Sequence, residues 1–307
     1  MRNTFIIIIL LMAGISAFAL EIVSVNPAGF PIVELKLSEV NEIPQVKENG
    51  SSVEILDSKR NQDELIITYI SNIPESKEEA TIKVENEEIT YNIPSFKESM
   101  IPLFALEQGK TVNVDASYHD WANISGARLT KDFSSATGKE IAGNSDLSAV
   151  LKTAKDGDNY YFLIIVKDDV PLPSPNHELM EYGDAVKLFL DDNEFHIIPG
   201  NLLVEDASIY RKDGLSIDGS QVKCSLQKGF YVYEISVKQE IIDAFETISV
   251  EIIDNDATQQ ENLSTLKYSG ITSDISYNPP IIHVESPRDG VTSVSYTHLT
   301  LPTILRV

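Results

Sequence analysis

Cysteine, tryptophan and basic residues are all scarce in this chain of 307 residues. The one cysteine, Cys224, has no partner for an internal disulfide and none of the spaced ligands that a zinc or iron–sulfur site requires, so it reads as a small buried apolar residue. Basic residues number 24 against 47 acidic ones, a net charge of −23 at pH 7. Such a surface repels phosphate backbones and anionic lipid, which argues against nucleic acid as a partner and leaves neutral ligands and cations. Long apolar runs are lacking too. The stretch from Phe5 to Leu20 is interrupted by Gly14 and Ser16 and falls short of the roughly 20 apolar residues that a membrane span needs. No nucleophile elbow, HExxH helix or phosphate-cradling glycine loop occurs, and the five histidines show no metal spacing. Adjacent acids such as Asp168-Asp169 and Asp191-Asp192 point to opposite faces of a strand and do not form a shared acid–base pair. No catalytic residue is therefore expected.

What is present begins with an export signal. Arg2, the apolar run Phe5 to Met12 and the small-x-small site Ala17-Phe18-Ala19 predict cleavage after Ala19. The mature chain is then secreted, periplasmic or on the cell surface, and a single cysteine in an exported chain fits a bacterial origin. At the other end, residues 294–307 (VSYTHLTLPTILRV) resemble a translated sequencing-adapter tail. Just before them, Tyr277-Asn278-Pro279-Pro280 reads as a linker, and Ile281 to Gly290 reads as the opening strand and turn of a further β module, so 277–293 is expected to begin a truncated domain of a longer protein.

Between these ends the sequence predicts an all-β chain in two units. Residues 20–105 carry short alternating segments, Ile32 to Leu37, Ser52 to Leu56, Glu64 to Ile70, Ala80 to Val84 and Glu88 to Ile93, separated by turn signals such as Asn49-Gly50. This pattern predicts a small immunoglobulin-like sandwich. The acidic run Glu75 to Glu88 reads as a solvated face. After a connector, Pro102 to Lys110, residues 111–276 predict a larger antiparallel sandwich with strands at Leu147 to Lys152, Asn159 to Lys167, Ala185 to Leu190, Ala207 to Tyr210, Gln221 to Leu226, Phe230 to Val237 and Ile248 to Ile253. Tyr160 to Val166 is continuously apolar and belongs in a central strand covered on both faces. Lys238 to Phe245 is the one helix candidate, and Asp156-Gly157-Asp158-Asn159 reads as a hairpin turn.

Five segments of the larger unit, in order, carry a resemblance. They are Val114 to Trp121 (VDASYHDW), Ser148 to Val170 with acids at its turn and end, Gly183 to Asp191 (GDAVKLFLD), Gly229 to Val237 (GFYVYEISV, with Glu234), and Ile248 to Asp256 ending in Asp254-Asn255-Asp256. This set resembles carbohydrate-binding module family 9, with Ala116 where that family's opening carries glycine. The resemblance implies a non-catalytic sandwich that binds polysaccharide or oligosaccharide and is commonly attached to glycoside hydrolases. Sugar binding needs flat aromatic faces with a few polar partners. The family's tryptophan positions fall here on Tyr182 and on Tyr268 or Tyr277. Trp121 is either a further platform or a packing residue that closes the first loop. Lys187 replaces an acid of the third segment and removes an acceptor for hydroxyls. The resemblance further implies structural Ca²⁺, for which Asp254 and Asp256 supply hard oxygens at a strand end. The expected function is an exported carbohydrate-binding module; the alternative is a cell-surface structural or adhesion protein that uses its sandwiches as spacers.

Overall fold

The computed structural model describes residues 20–73, 77–93, 100–132, 134–200, 207–242, 244–257, 263–276 and 284–285. The export signal, the 294–307 tail and Tyr277 lie outside them. Within the described residues the regular secondary structure is nearly all strand, as predicted.

The small unit comprises β1 (Glu21–Asn26), β2 (Ile32–Ser38), β3 (Val46–Glu48), β4 (Ser51–Ser52), β5 (Glu54–Asn61), β6 (Glu64–Ile70), β7 (Glu79–Val84) and β8 (Glu87–Asn92). Alternation sets its two faces: Leu65, Ile67 and Tyr69 of β6 turn into the core while Ile66 and Thr68 turn out. Asn49 and Gly50 both adopt positive φ, 47° and 86°, which the tight turn between β3 and β4 requires. One sheet runs β1-β2-β6-β5, the other β4-β3-β7-β8, and Val33, Leu35 and Ile67 pack across to Val46, Ile82 and Val84. Glu79, Glu85, Glu87 and Glu88 are exposed, so the described part of the acidic run is the solvated face expected of it.

The larger unit comprises β9 (Met100–Ala105), β10 (Gly126–Leu129), β11 (Ser135–Gly138), β12 (Leu147–Lys155), β13 (Asn159–Asp168), β14 (Ala185–Leu190), β15 (Asn193–Ile198), β16 (Ser208–Arg211), β17 (Gln221–Gln227), β18 (Phe230–Lys238), β19 (Thr247–Asn255) and β20 (Leu263–Ser276). They form one strongly curved sheet in the order β16-β15-β14-β19-β20-β9-β12-β13-β18-β17, with β10 beside β12 and β11 beside β20. The continuously apolar β13 lies between β12 and β18, and Tyr160 to Val166 are all buried. Asp156 closes the β12–β13 hairpin by accepting from the backbone N–H groups of Asp158 (2.8 Å) and Asn159 (2.7 Å).

Three boundaries differ from expectation. Residues 100–105 belong to the larger unit, because β9 pairs in parallel with both β12 and β20 and so joins the two halves of the curved sheet. Val284–Glu285 (β21), read above as part of a further module, instead pairs with Ser24 and Val25 of β1. Of the expected helix, Lys238 ends β18 and the described remainder is turn and loop, with Ile242 and Phe245 taken into the core. Two short 3-10 turns, His119–Trp121 and His177–Tyr182, occur instead.

The two units share a core at their seam. Ile32, Leu56 and Ile70 of the small unit pack with Trp121, Val150, Tyr161 and Leu163 of the larger one, each burial contributing about 2 kcal/mol. Gly126 donates its N–H to Phe30 O at 2.7 Å, and a Cβ there would lie 2.2 Å from Leu151 O, so only glycine allows the approach. Buried Lys152 reaches across and donates from Nζ to Gly29 O (2.7 Å) and Trp121 O (3.1 Å).

Candidate metal centre and ligand-facing residues

Three carboxyl groups meet at one end of the larger sandwich. Asp168 ends β13, Asp184 immediately precedes β14 and Asp254 lies near the end of β19, so the two halves of the curved sheet each contribute. Oxygen atoms of the three lie within 4.8 Å of one another, and all three residues are buried. A second group, Asp168, Asp169 and Asp256, shares Asp168 and opens toward solvent through exposed Asp169.

Hydrogen bonding leaves this cluster incomplete. Asp168 Oδ1 accepts from Val170 N (2.8 Å), Asp254 Oδ2 from Ser264 Oγ (2.7 Å), and Asp256 Oδ2 from Lys139 Nζ (2.5 Å). The other oxygen of each, Asp168 Oδ2, Asp254 Oδ1 and Asp256 Oδ1, is buried with no donor. Asp184 is better served, taking Tyr231 Oη at 2.6 Å and the N–H groups of Leu172 and Asn255. Burial, then repulsion from Asp184 and Asp254, pushes the Asp168 carboxyl up to about 9. Burial likewise raises Asp184, and raises Asp254 to about 7 with help from Asp256 and Asp184. A buried carboxylate oxygen without a donor is costly, and several such oxygens converging from separate strands is the donor set of a hard cation. Asp254 and Asp256 were named from the sequence. Asp168 and Asp184 were not, although both stand at the acidic ends of segments that carry the family resemblance.

A second carboxyl group organises the opening loop. Glu234 accepts from Trp121 Nε1 (2.7 Å) and from the N–H groups of Asp115 (2.8 Å) and Ser117 (3.1 Å). Between those two N–H groups Ala116 adopts φ 63°, the left-handed conformation that glycine takes more easily and that accounts for glycine in the resembling pattern. Burial pushes Glu234 up to about 7 against the pull of these donors.

The aromatic candidates are not brought together. Trp121 is completely buried at the seam, so of its two readings the structure places it as the packing residue, with no ring face left for a sugar. Tyr268 is 6% exposed and belongs to the main core of the larger unit, because its side of β20 faces inward. Tyr182 alone among the described candidates presents its ring, at 43% exposure. It sits on the 3-10 turn that Asn176 caps and that Asn255 Nδ2 pins through Glu181 O at 2.8 Å. Val170, two residues beyond Asp168, and Leu179 are also exposed, so apolar side chains flank the acidic cluster. Lys187 is paired with Glu251 at 3.1 Å, which accounts for a lysine at that strand position. No helix among the described residues is long and apolar enough to cross a membrane.

No family model matches the chain, and no curated protein matches it. Among solved structures it is similar to a carbohydrate-binding module of family 9 from Caldicellulosiruptor kristjanssonii in complex with cellotriose, at 14% identity and a TM-score of 0.39, over 64% of this chain and 100% of that one. A family 9 module from the same organism in complex with glucose is similar at 14% identity and a TM-score of 0.38, over 59% of this chain and 98% of that one. A likeness of this size assigns no function.

Proposed function

We propose that the chain is an exported, non-catalytic carbohydrate-binding protein, acting on the bacterial surface or beyond it within a polysaccharide-binding or polysaccharide-degrading system. The observation that carries this reading is Tyr182: an exposed ring on a short turn pinned at Asn176 and Glu181, at a position where the resembling family uses an aromatic platform. A ring held in place loses little entropy on stacking against the apolar face of a pyranose.

The same reading includes a structural Ca²⁺ held by Asp168, Asp184 and Asp254, with Asp256 beside them. Three buried oxygens without donors fit that group. The ion supplies positive charge that offsets the repulsion among these carboxylates and ties the two halves of the curved sheet at the end that carries Tyr182.

Titration calorimetry against glucose, cellotriose and xylan tests the sugar. Saturable heat with at least one of them is expected, and Tyr182→Ala lowers that affinity at least tenfold, about 1.4 kcal/mol. Absence of heat with all three removes the proposal and leaves the spacer reading.

A further inference from the structure

The seam between the units contains a groove that neither unit forms alone. Its floor is the outer face of the small sheet, where Glu34, Thr68 and Asp57 stand in one cross-strand row and Ile66 and Lys59 in the next. These residues alternate with Leu35, Ile67 and Tyr69, which fill the core behind them. Toward Ile32 and Ile70 the larger unit covers this face, and beyond that cover the wall of the groove is Tyr118, His119 and Ala122. The groove has a volume of about 220 Å³.

The wall is aromatic and fixed. The rings of Tyr118 and His119 stack at 4.6 Å with 16° between their planes, and Ser117 Oγ holds His119 Nδ1 at 2.5 Å. Burial, then the charge of Asp57, pushes the Tyr118 hydroxyl up to about 12, so it keeps its proton. Asp57 in turn meets Lys228 Nζ at 3.3 Å. The groove lining carries Glu34 and Asp57 against Lys59, and Lys228 offsets Asp57 from outside the lining, in a protein whose net charge is −23.

Local neutrality gives an ion no advantage here. An exposed ring backed by a second one, beside a carboxylate acceptor, a hydroxyl and an ammonium donor, is the set that a sugar ring and its vicinal hydroxyls need. The volume is below the range of drug-sized sites, which fits one ring of a chain and excludes a folded partner. We propose that the seam groove binds a single pyranose unit of a neutral glycan, the ring lying against the exposed His119, which Tyr118 backs, with its hydroxyls on Glu34, Thr68 and Lys59. It shares no residue with the Tyr182 platform and does not depend on that platform being correct.

Amide chemical shifts of the full chain, titrated with D-glucose and with cellotriose, test it. Saturable shifts at Thr68, His119 and Ala122 are expected, with a dissociation constant on the order of 1 mM. They persist in Tyr182→Ala and weaken about tenfold in His119→Ala and in Glu34→Gln, with the thermal midpoint recorded for each. Seam shifts that are missing with both sugars, that NaCl or CaCl2 alone reproduces, or that survive both groove variants overturn the proposal. Shifts confined to the surroundings of Tyr182 overturn it while leaving the Tyr182 reading intact, and seam shifts alone do the reverse.

Discussion

Each unit buries carboxyl groups, and the two sites are opposites. In the small unit, Glu48 of β3 is 1% exposed and fully served: Oε1 accepts from Tyr69 (3.0 Å) and Tyr91 (2.5 Å), and Oε2 from Ser71 Oγ (2.7 Å) and Asn72 N (2.9 Å). Burial, with Glu48 beside them, raises both tyrosines well above their ordinary range, so they remain donors. In the larger unit, Asp168 and Asp254 are as deeply buried yet each keeps an oxygen without a donor. Four donors on one carboxyl group make a structural joint between strands. Missing donors on several converging carboxyl groups make a place for a cation.

Breaking the satisfied centre gives the largest effect. Glu48→Ala strands two phenols, a hydroxyl and an N–H in the core and is expected to cost about 4 kcal/mol in urea unfolding. A loss below about 1 kcal/mol would mean that those donors find other partners. Filling the unsatisfied centre comes next. Ca²⁺ at a hundredfold excess over its dissociation constant is expected to stabilise by about 2.7 kcal/mol, an increment that Asp184→Asn and Asp168→Asn remove. In chelator the folded chain holds Asp168 at about 9 and Asp254 at about 7, against 3.8 for both when unfolded. At these two groups the folded state therefore binds more protons over this window, and the stability they contribute falls as pH rises from about 4 to about 9. Thermal melts at several pH values should show that decline in chelator and a flatter profile with Ca²⁺; equal profiles would separate the cluster from any metal.

How much of this was legible follows from the range of the interactions. β6 and β14 match their predicted spans residue for residue, because alternation and β-branched content are local signals. The Asp156 turn was equally visible from its residue types, whereas the left-handed conformation of Ala116 was not read from the sequence, although the resembling pattern carries glycine there. β9 was misassigned because Pro102 marked it as connector, while its place between β12 and β20 depends on pairings that are remote in sequence. β15 was missed because Asn193, Glu194 and His196 mask its apolar residues. The acidic cluster was half visible: Asp254 and Asp256 are neighbours in sequence, but Asp168 and Asp184 join them only once β13 and β14 have closed over the same end of the sandwich. The loss of Trp121 and Tyr268 as ligand candidates has the same origin, since an aromatic residue's type does not say which face of its strand or loop will be covered.

A smaller effect is expected at the seam. Lys152 is a buried cation whose partners are two carbonyl oxygens, and burial holds its ammonium well below the ordinary 10.5. Lys152→Met leaves Gly29 O and Trp121 O without a donor and is expected to cost about 2 kcal/mol near neutral pH. The unfolded chain binds this proton more tightly than the folded one, so Lys152 contributes stability that rises with pH up to about 10.5 and is lost as pH falls. Unfolding of the methionine variant should lack that slope.

The smallest effect sharpens the contrast between donors supplied by side chains and donors supplied by strained backbone. The N–H groups of Asp115 and Ser117 converge on one oxygen of Glu234 because Ala116 between them is left-handed. An alanine held there costs about 1 kcal/mol or somewhat more, whereas glycine costs less strain but more chain entropy. Ala116→Gly is therefore expected to raise stability by about 0.5 kcal/mol, measured as a shift in the urea midpoint at constant slope. A gain shows that Glu234 holds the loop in a strained turn that its three donors outweigh. A loss shows that the buried Ala116 methyl contributes more to packing than its conformation costs.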